Sequence, residues 1–396
     1  MCLISLSLTV PGYPVKQINN AGYIDIANRL LKKGLTELGA FHYLEQLTSL
    51  GPRLTGSPEA AAAVELMQQK MLDLDLDNVH LEPTKVCHWI RGEKEEAFIV
   101  SSSFGTIPVD IAAIGGSIST PNKGITASII EIFSFEELKN IGQKAAGKII
   151  FFNRPMDPTQ LDTFYAYGQA ADQRISGASE AAKVGAEAVL VRSLTTRIDD
   201  NPHTGMMYYK PDIKKIPAAC ISTKDAEYLS MILKKDPSLQ VTMTLSCRDL
   251  SPVISYNVIG QITGREKPEE IVLVGGHLDS WDMGTGAHDD GAGCVQSLEV
   301  LRLIKELNLN PKRTIRAVMF MDEEFGGTGG RDYARSKYRK EEKHVAAIEA
   351  DRGGILPLGF GIGNKKTFQP YKKWEYLFKH CLVPSSILTS SCAAIL

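Results

Sequence analysis

Four short runs in the second half of the sequence gather the residue types that hold divalent metals and activate water. They are Gly276-His277-Leu278-Asp279, Gly286-Ala287-His288-Asp289-Asp290-Gly291-Ala292-Gly293, Met321-Asp322-Glu323-Glu324-Phe325-Gly326-Gly327 and Glu349-Ala350-Asp351-Arg352-Gly353. Zinc takes His nitrogen and carboxylate oxygen, and a catalytic zinc keeps one position for water. Two such ions about 3.5–4 Å apart can share a carboxylate and together polarise one scissile carbonyl. Hydrolysis also needs a base. Adjacent Glu residues leaving a strand diverge, so one can face a metal while the other faces the water. An Asp two residues beyond a liganding His can accept the other ring proton and fix the ring. Taken singly, each run has a plainer reading: a surface pair, a solvated charge run, or a turn with a helix cap. Their occurrence together, each beside the end of an element, gives the set its weight.

The elements that must position them follow from the apolar pattern. Residues 271–274 are a continuous apolar run, as in a buried parallel strand, and residues 315–321 and 345–350 read as further strands. Residues 291–307 predict an amphipathic helix, with Leu298, Leu301, Ile304 and Leu307 on one side and Glu299, Arg302 and Glu306 on the other. Alternating strands and helices predict an α/β fold, a mixed, mostly parallel sheet flanked by helices. In such sheets sites form beyond the carboxyl ends of strands, which brings three of the four runs together by topology alone. Upstream, residues 20–75 read as helical, with a turn at 51–58 and a helix from Ala60 to Leu74; a strand from His80 to Val86 follows.

Between 105 and 248 short apolar strands are separated by Gly and Pro, as at 148–152, 188–192 and 216–221, with a helix at 178–184. None of the candidate chemistry lies there. We read this block as an inserted, β-rich domain, flanked by the N-terminal part of a main domain at 20–104 and its C-terminal part at 249–396.

Composition excludes several classes. The 396 residues are 43% hydrophobic and 23% charged with a net charge of −2, which suits a sizeable core and argues against nucleic acid as a partner. No apolar run reaches the roughly 18 residues of a membrane span, and the apolar N-terminus lacks the basic start and cleavage site of a clear signal peptide. Seven scattered Cys form no framework, although Cys220 and Cys247 could pair in an oxidising compartment.

In the order HxD, GAxDDGAG, EE and ExD, the sequence resembles the co-catalytic zinc exopeptidase family, most closely its carboxypeptidase Q branch. The likeness runs from about residue 40 to 363 and includes Gly51-Pro-Arg-Leu-Thr-Gly-Ser57, His88-Trp-Ile-Arg-Gly92, Pro202-His-Thr-Gly205 and Gly276-His-Leu-Asp-Ser-Trp-Asp282. It implies a zinc exopeptidase fold in which the block at 105–248 is a protease-associated domain. His277, a bridging Asp289 and Asp351 would hold one Zn2+; Glu324 and the same Asp289 would hold a second. Glu323 would be the general base and Asp279 the residue that orients His277, leaving Asp290 as a helix cap. Substrates would be short peptides or dipeptides, cleaved as a carboxypeptidase or, alternatively, an aminopeptidase. The compartment would be secreted, lysosomal or periplasmic, and a homodimer fits the resemblance.

One element of the family pattern is not found. Its members supply a further His to the second zinc from beyond ExD, whereas the only His after Asp351 here is His380, in a Phe-Lys-His-Cys-Leu run that fits no family motif. The expectation is therefore a main domain incomplete at its end, a second zinc short of one ligand, and impaired activity. A non-catalytic, peptidase-like binding protein is the rival reading.

Overall fold

A computed structural model of the chain describes residues 20–351 and 353. The described residues divide into two compact units: one is formed by those up to Val86 and from Pro252 onwards, the other by Cys87–Ser251.

The first unit is built on a five-stranded sheet in the order Asp77–Val86, Val253–Ile262, Arg313–Phe320, Lys267–His277, Lys343–Glu349. The last three are mutually parallel; Val253–Ile262 runs against both of its neighbours. Four of the five strands thus point one way. Strands buried on both faces are rich in apolar residues, and Arg313–Phe320 shows why, its buried Arg316 being paired with Glu342 at 2.8 Å. Ala317, Met319 and Met321 join one core with Met67, Met71, Val295, Leu298 and Leu301, while Val318 and Phe320 join another with Tyr333. Helices Pro58–Asp73 and Ala292–Glu306 supply the first core, and helix Thr328–Arg335 supplies Tyr333 to the second. Ser57 caps Pro58–Asp73 by accepting the N–H of Ala60 at 3.0 Å, with Pro58 at the position where a missing N–H costs nothing.

The polar side expected of the helix at 291–307 is solvated only at Glu306. Arg302 and Glu299 are buried, because helix Asn20–Glu37 lies across them. Arg302 compensates with three carboxylates, Glu299 at 2.6 Å and Glu37 and Glu306 at 2.8 Å each. A charge stripe on one helix face reads as solvent-facing until a second helix of matching charge covers it.

The second unit carries an eight-stranded sheet. Its centre, Ile125–Ile132, Ile149–Phe152, Ala188–Arg192 and Ala218–Ile221, is parallel, and helices Phe135–Ile141, Gly177–Lys183 and Thr223–Lys235 accompany it. The unit is therefore α/β as well as rich in strands. Its border falls at Cys87, earlier than the expected 105, because strand Glu95–Ser101 pairs with Gln240–Leu245 inside it. At its ends Ile90 pairs with Arg248, and the Leu250 N–H donates to the His88 carbonyl at 2.7 Å, so its two chain ends are neighbours. Cys220 and Cys247 are separate, buried thiols, and burial pushes them up to about 12 and about 11.

Candidate metal centre and active site

His277 ends the strand Lys267–His277 and is only 1% exposed. Its Nδ1 lies 2.9 Å from the main-chain carbonyl of Asp279. A carbonyl only accepts, so Nδ1 donates, and Nε2 of the neutral ring carries a lone pair. Two carboxylates converge on that lone pair: Asp289 at 3.0 Å and Asp351 at 3.3 Å. Oxygen against a lone pair repels unless a cation or a proton lies between them. Burial draws the imidazole down, but the bonds to Asp289 and Asp351 outweigh it and hold His277 well above its usual range.

Glu324 completes the cluster. His277, Asp289 and Glu324 each offer an atom within 4.8 Å of the others. Its Oε1 is buried and has no hydrogen-bond partner, and burial followed by the Asp289 charge drives the carboxyl far above the ordinary range. An orphaned buried oxygen, an imidazole Nε2 whose lone pair is free once a metal displaces its proton, and converging carboxylates are the donor set that zinc prefers. The residues present fit the metal.

Glu323 precedes Glu324 in the turn after Arg313–Phe320. Burial raises its carboxyl to about 6, helped by the charges of Asp351, Asp279 and Asp289. Glu349, at the end of Lys343–Glu349, is raised to about 8 by burial and by Asp351.

Asp279 acts differently from expectation. Its carboxylate lies 3.8 Å from Nδ1 of His277, too far for the hydrogen bond foreseen, and its main-chain carbonyl takes the ring proton instead. The chain doubles back within two residues, which turns that carbonyl toward the ring and frees the carboxylate. Oδ1 accepts the N–H of Glu323 at 3.1 Å, and Oδ2 accepts the N–H of Glu324 at 3.2 Å and the Thr55 hydroxyl at 2.7 Å.

Asp290 forms a group with His277 and Asp351, but its oxygens are engaged by main-chain donors. Oδ1 takes the N–H of Gly293 at 2.9 Å, as a helix cap does, and Oδ2 takes the N–H of His277 at 3.0 Å. The peptide joining Asp289 to Asp290 is cis. Gly293 has no room for a Cβ, which would meet the Ala350 carbonyl, so the helix start sits directly beside the end of the Asp351 strand.

The structure thus brings together His277, Asp279, Asp289, Glu323, Glu324 and Asp351. His203 and His288 are exposed, and His380 lies outside the described residues. Two further residues stand out. Arg53 is completely buried, and Thr55 touches Asp279. Both lie in the 51–57 turn. The sequence marked this turn only as one of the runs that carry the family likeness, and gave neither residue a role.

Residues 257–377 match the model of Peptidase family M28. Carboxypeptidase Q of Bos taurus is 40% identical over 343 residues, which span 86% of this chain and 70% of that protein. The crystal structure of a Peptidase M28 precursor from Shewanella amazonensis SB2B superposes with a TM-score of 0.85 at 35% identity, covering 91% of this chain and 81% of that one. A zinc aminopeptidase of Bacillus subtilis, 23% identical, shares the fold with a TM-score of 0.55 over 77% of this chain and 66% of its own. The chain belongs to Peptidase family M28, as a carboxypeptidase Q-like member. It is a metal-dependent exopeptidase.

Proposed function

We propose that this protein is a zinc exopeptidase that removes the C-terminal residue from short peptides, dipeptides included. The observation that carries the reading is the convergence of Asp289 and Asp351 on the lone-pair nitrogen of a buried His277. His277, Asp289 and Asp351 would hold one ion; Asp289 and Glu324 would hold a second, with Asp289 shared between them. Zinc in this place supplies Lewis acidity that polarises the scissile carbonyl and acidifies water.

The chain's own groups do the rest. Glu323, raised to about 6 by burial, is poised near neutrality to accept a proton from the attacking water and return it to the leaving amine. Asp279 fixes the turn that carries it through the two main-chain N–H groups. His277 is locked by its Nδ1 bond, so its other nitrogen faces the metal position. No helix among the described residues is long and apolar enough to cross a membrane. We assign Cys87–Ser251 as a protease-associated insertion and place the homodimer and the secreted, lysosomal or periplasmic address with the same reading.

The test pairs metal analysis with a dipeptide assay. Peptides with a blocked amino terminus should still be cleaved, and peptides with a C-terminal amide should not. The opposite pattern would make the protein an aminopeptidase. A protein that binds no zinc and cleaves neither would be a binding homologue.

A further inference from the structure

Arg53 is a buried cation whose guanidinium, among the described residues, has no carboxylate hydrogen-bond partner, since every acceptor it uses is a carbonyl. Nε donates to the carbonyl of Leu278 at 2.8 Å, Nη1 to Thr285 at 2.6 Å and Nη2 to Gly286 at 2.9 Å. Its main chain joins in as well. The Arg53 N–H donates to Ser280 Oγ at 3.0 Å, and the Ser280 N–H donates to the Arg53 carbonyl at 3.0 Å. These acceptors lie in the segment running from His277 to Asp289, the two residues that meet at the metal position. Residues 278–286 of that segment are neither helix nor strand, so its shape depends on bonds from outside it.

Gly286 closes the segment with φ +59, and a Cβ there would run into Ser280 and Arg53. Its carbonyl is shared between Arg53 and the N–H of Gly291, three residues before Cys294 in the metal-side helix. Two residues after Arg53, the Thr55 hydroxyl donates to Asp279 Oδ2, the oxygen that also takes the N–H of Glu324. One short stretch of chain, far away in sequence, therefore reaches both halves of the site.

We propose that Arg53 and Thr55 are positioning residues: Arg53 sets the loop that delivers Asp289 to His277, and Thr55, through Asp279, sets the turn that carries Glu323 and Glu324. A guanidinium suits the first task because its planar fork presents five donors at fixed angles, which an ammonium cannot do. A hydroxyl suits the second because it polarises a carboxylate without neutralising it. The inference rests on the metal and base roles proposed above.

Arg53→Met, Arg53→Lys and Thr55→Val test it, with zinc affinity read by chelator competition well below the melting temperature. Arg53→Met should lower zinc affinity about 10–100-fold, the range seen when outer partners of metal ligands are removed. Arg53→Lys should fall in the same range, since the charge survives but the fork does not. Thr55→Val, nearly isosteric, should leave the zinc step at His277 within about threefold and weaken only the step that uses Glu324. At saturating zinc it should lower kcat about tenfold, with KM within twofold. A purely structural role would move the melting temperature but not split these readouts between the two residues. Wild-type zinc affinity in Arg53→Lys would overturn the fork argument, and unchanged kcat in Thr55→Val would overturn the second half. If Arg53→Met does not fold, the lysine and valine variants still decide the matter. Failure of the wild-type protein itself to bind zinc would instead refute the proposed function, which separates the two claims.

Discussion

The carboxylate of Asp279 and the main-chain N–H of Glu323 are joined at 3.1 Å, so the residue two places after His277 holds the turn that carries Glu323. With the second bond, to Glu324 at 3.2 Å, one side chain sets the backbone of both glutamates. Asp279→Asn keeps shape but offers only one accepting oxygen, so one N–H would face an NH2 group. An unsatisfied buried donor costs about 1–3 kcal/mol. We expect kcat to fall roughly 10–100-fold with KM nearly unchanged. Steady-state kinetics at saturating zinc would show it, and wild-type rates would mean that the turn is held by its neighbours.

The adjacent glutamates should separate by phenotype. Glu323→Gln should retain zinc while losing about 10²–10⁴-fold in turnover, as removal of a general base does. Glu324→Gln should lower metal occupancy first. Equal metal loss in both variants would reverse or dissolve the assignment.

Zinc titration should resolve two binding steps that share one residue. Asp289→Ala should weaken both, Asp351→Asn the step at His277, and Glu324→Gln the other. Because zinc binds the folded protein, chelation should lower the melting temperature of wild type by mass action. The three variants should show smaller shifts on chelation than wild type does. A shift unchanged in Asp289→Ala would remove Asp289 from the ligand set.

A separate pH effect is expected from His344. Its Nε2 meets the Tyr333 hydroxyl at 2.9 Å, and that hydroxyl also accepts from Arg316 at 3.1 Å. Burial keeps this imidazole uncharged near neutral pH, so Nε2 can accept the proton of the hydroxyl. Burial lowers the imidazole to about 4, Arg316 and Arg339 add to the effect, and Glu342 opposes it. The folded value lies below the unfolded value of about 6.5, so the unfolded chain binds the extra proton first. Stability should be complete above about pH 6.5 and fall by about 1 kcal/mol per pH unit as pH drops toward 4. Denaturant melts of wild type and His344→Gln across pH 4–8 would reveal a slope that the variant lacks.

Residues 87–251 should fold alone. The fragment carries its own sheet, and its termini meet through the His88–Leu250 bond. Expressed by itself, it should give a cooperative thermal transition and dispersed amide spectra. A molten fragment would argue that the border is misplaced.

The residues that cluster at the candidate site were legible because their chemistry is local in sequence: an HxD, a paired Asp, a paired Glu and an ExD each sit at an element's end. The strands were legible for the same reason, since short apolar runs such as 317–320 in Arg313–Phe320 are local in sequence. What stayed hidden depended on partners far apart in the chain. Thr55 meets Asp279 across 224 positions. The burial of Glu299 and Arg302 needed a second helix, and the early border at Cys87 needed a strand pairing from Glu95–Ser101 to Gln240–Leu245. The exchange of roles between the carbonyl and carboxylate of Asp279 turned on backbone direction, which residue type does not report.

Strands Asp77–Val86 and Val253–Ile262 are antiparallel neighbours, and Val86 lies opposite Val253 as the last pair of their ladder. In topology, then, the whole of residues 87–251 occupies the place of a hairpin turn. Closing a loop costs entropy that grows only with the logarithm of its length, about 0.6 kcal/mol for each doubling. An independently folded module with adjoining ends shortens the effective loop to a few residues. The hairpin register is thus indifferent to what is spliced into its tip. Evolution could enlarge, exchange or trim that cassette without disturbing the ladder, and an engineer replacing it with a short turn would be asking the same question of the same two valines.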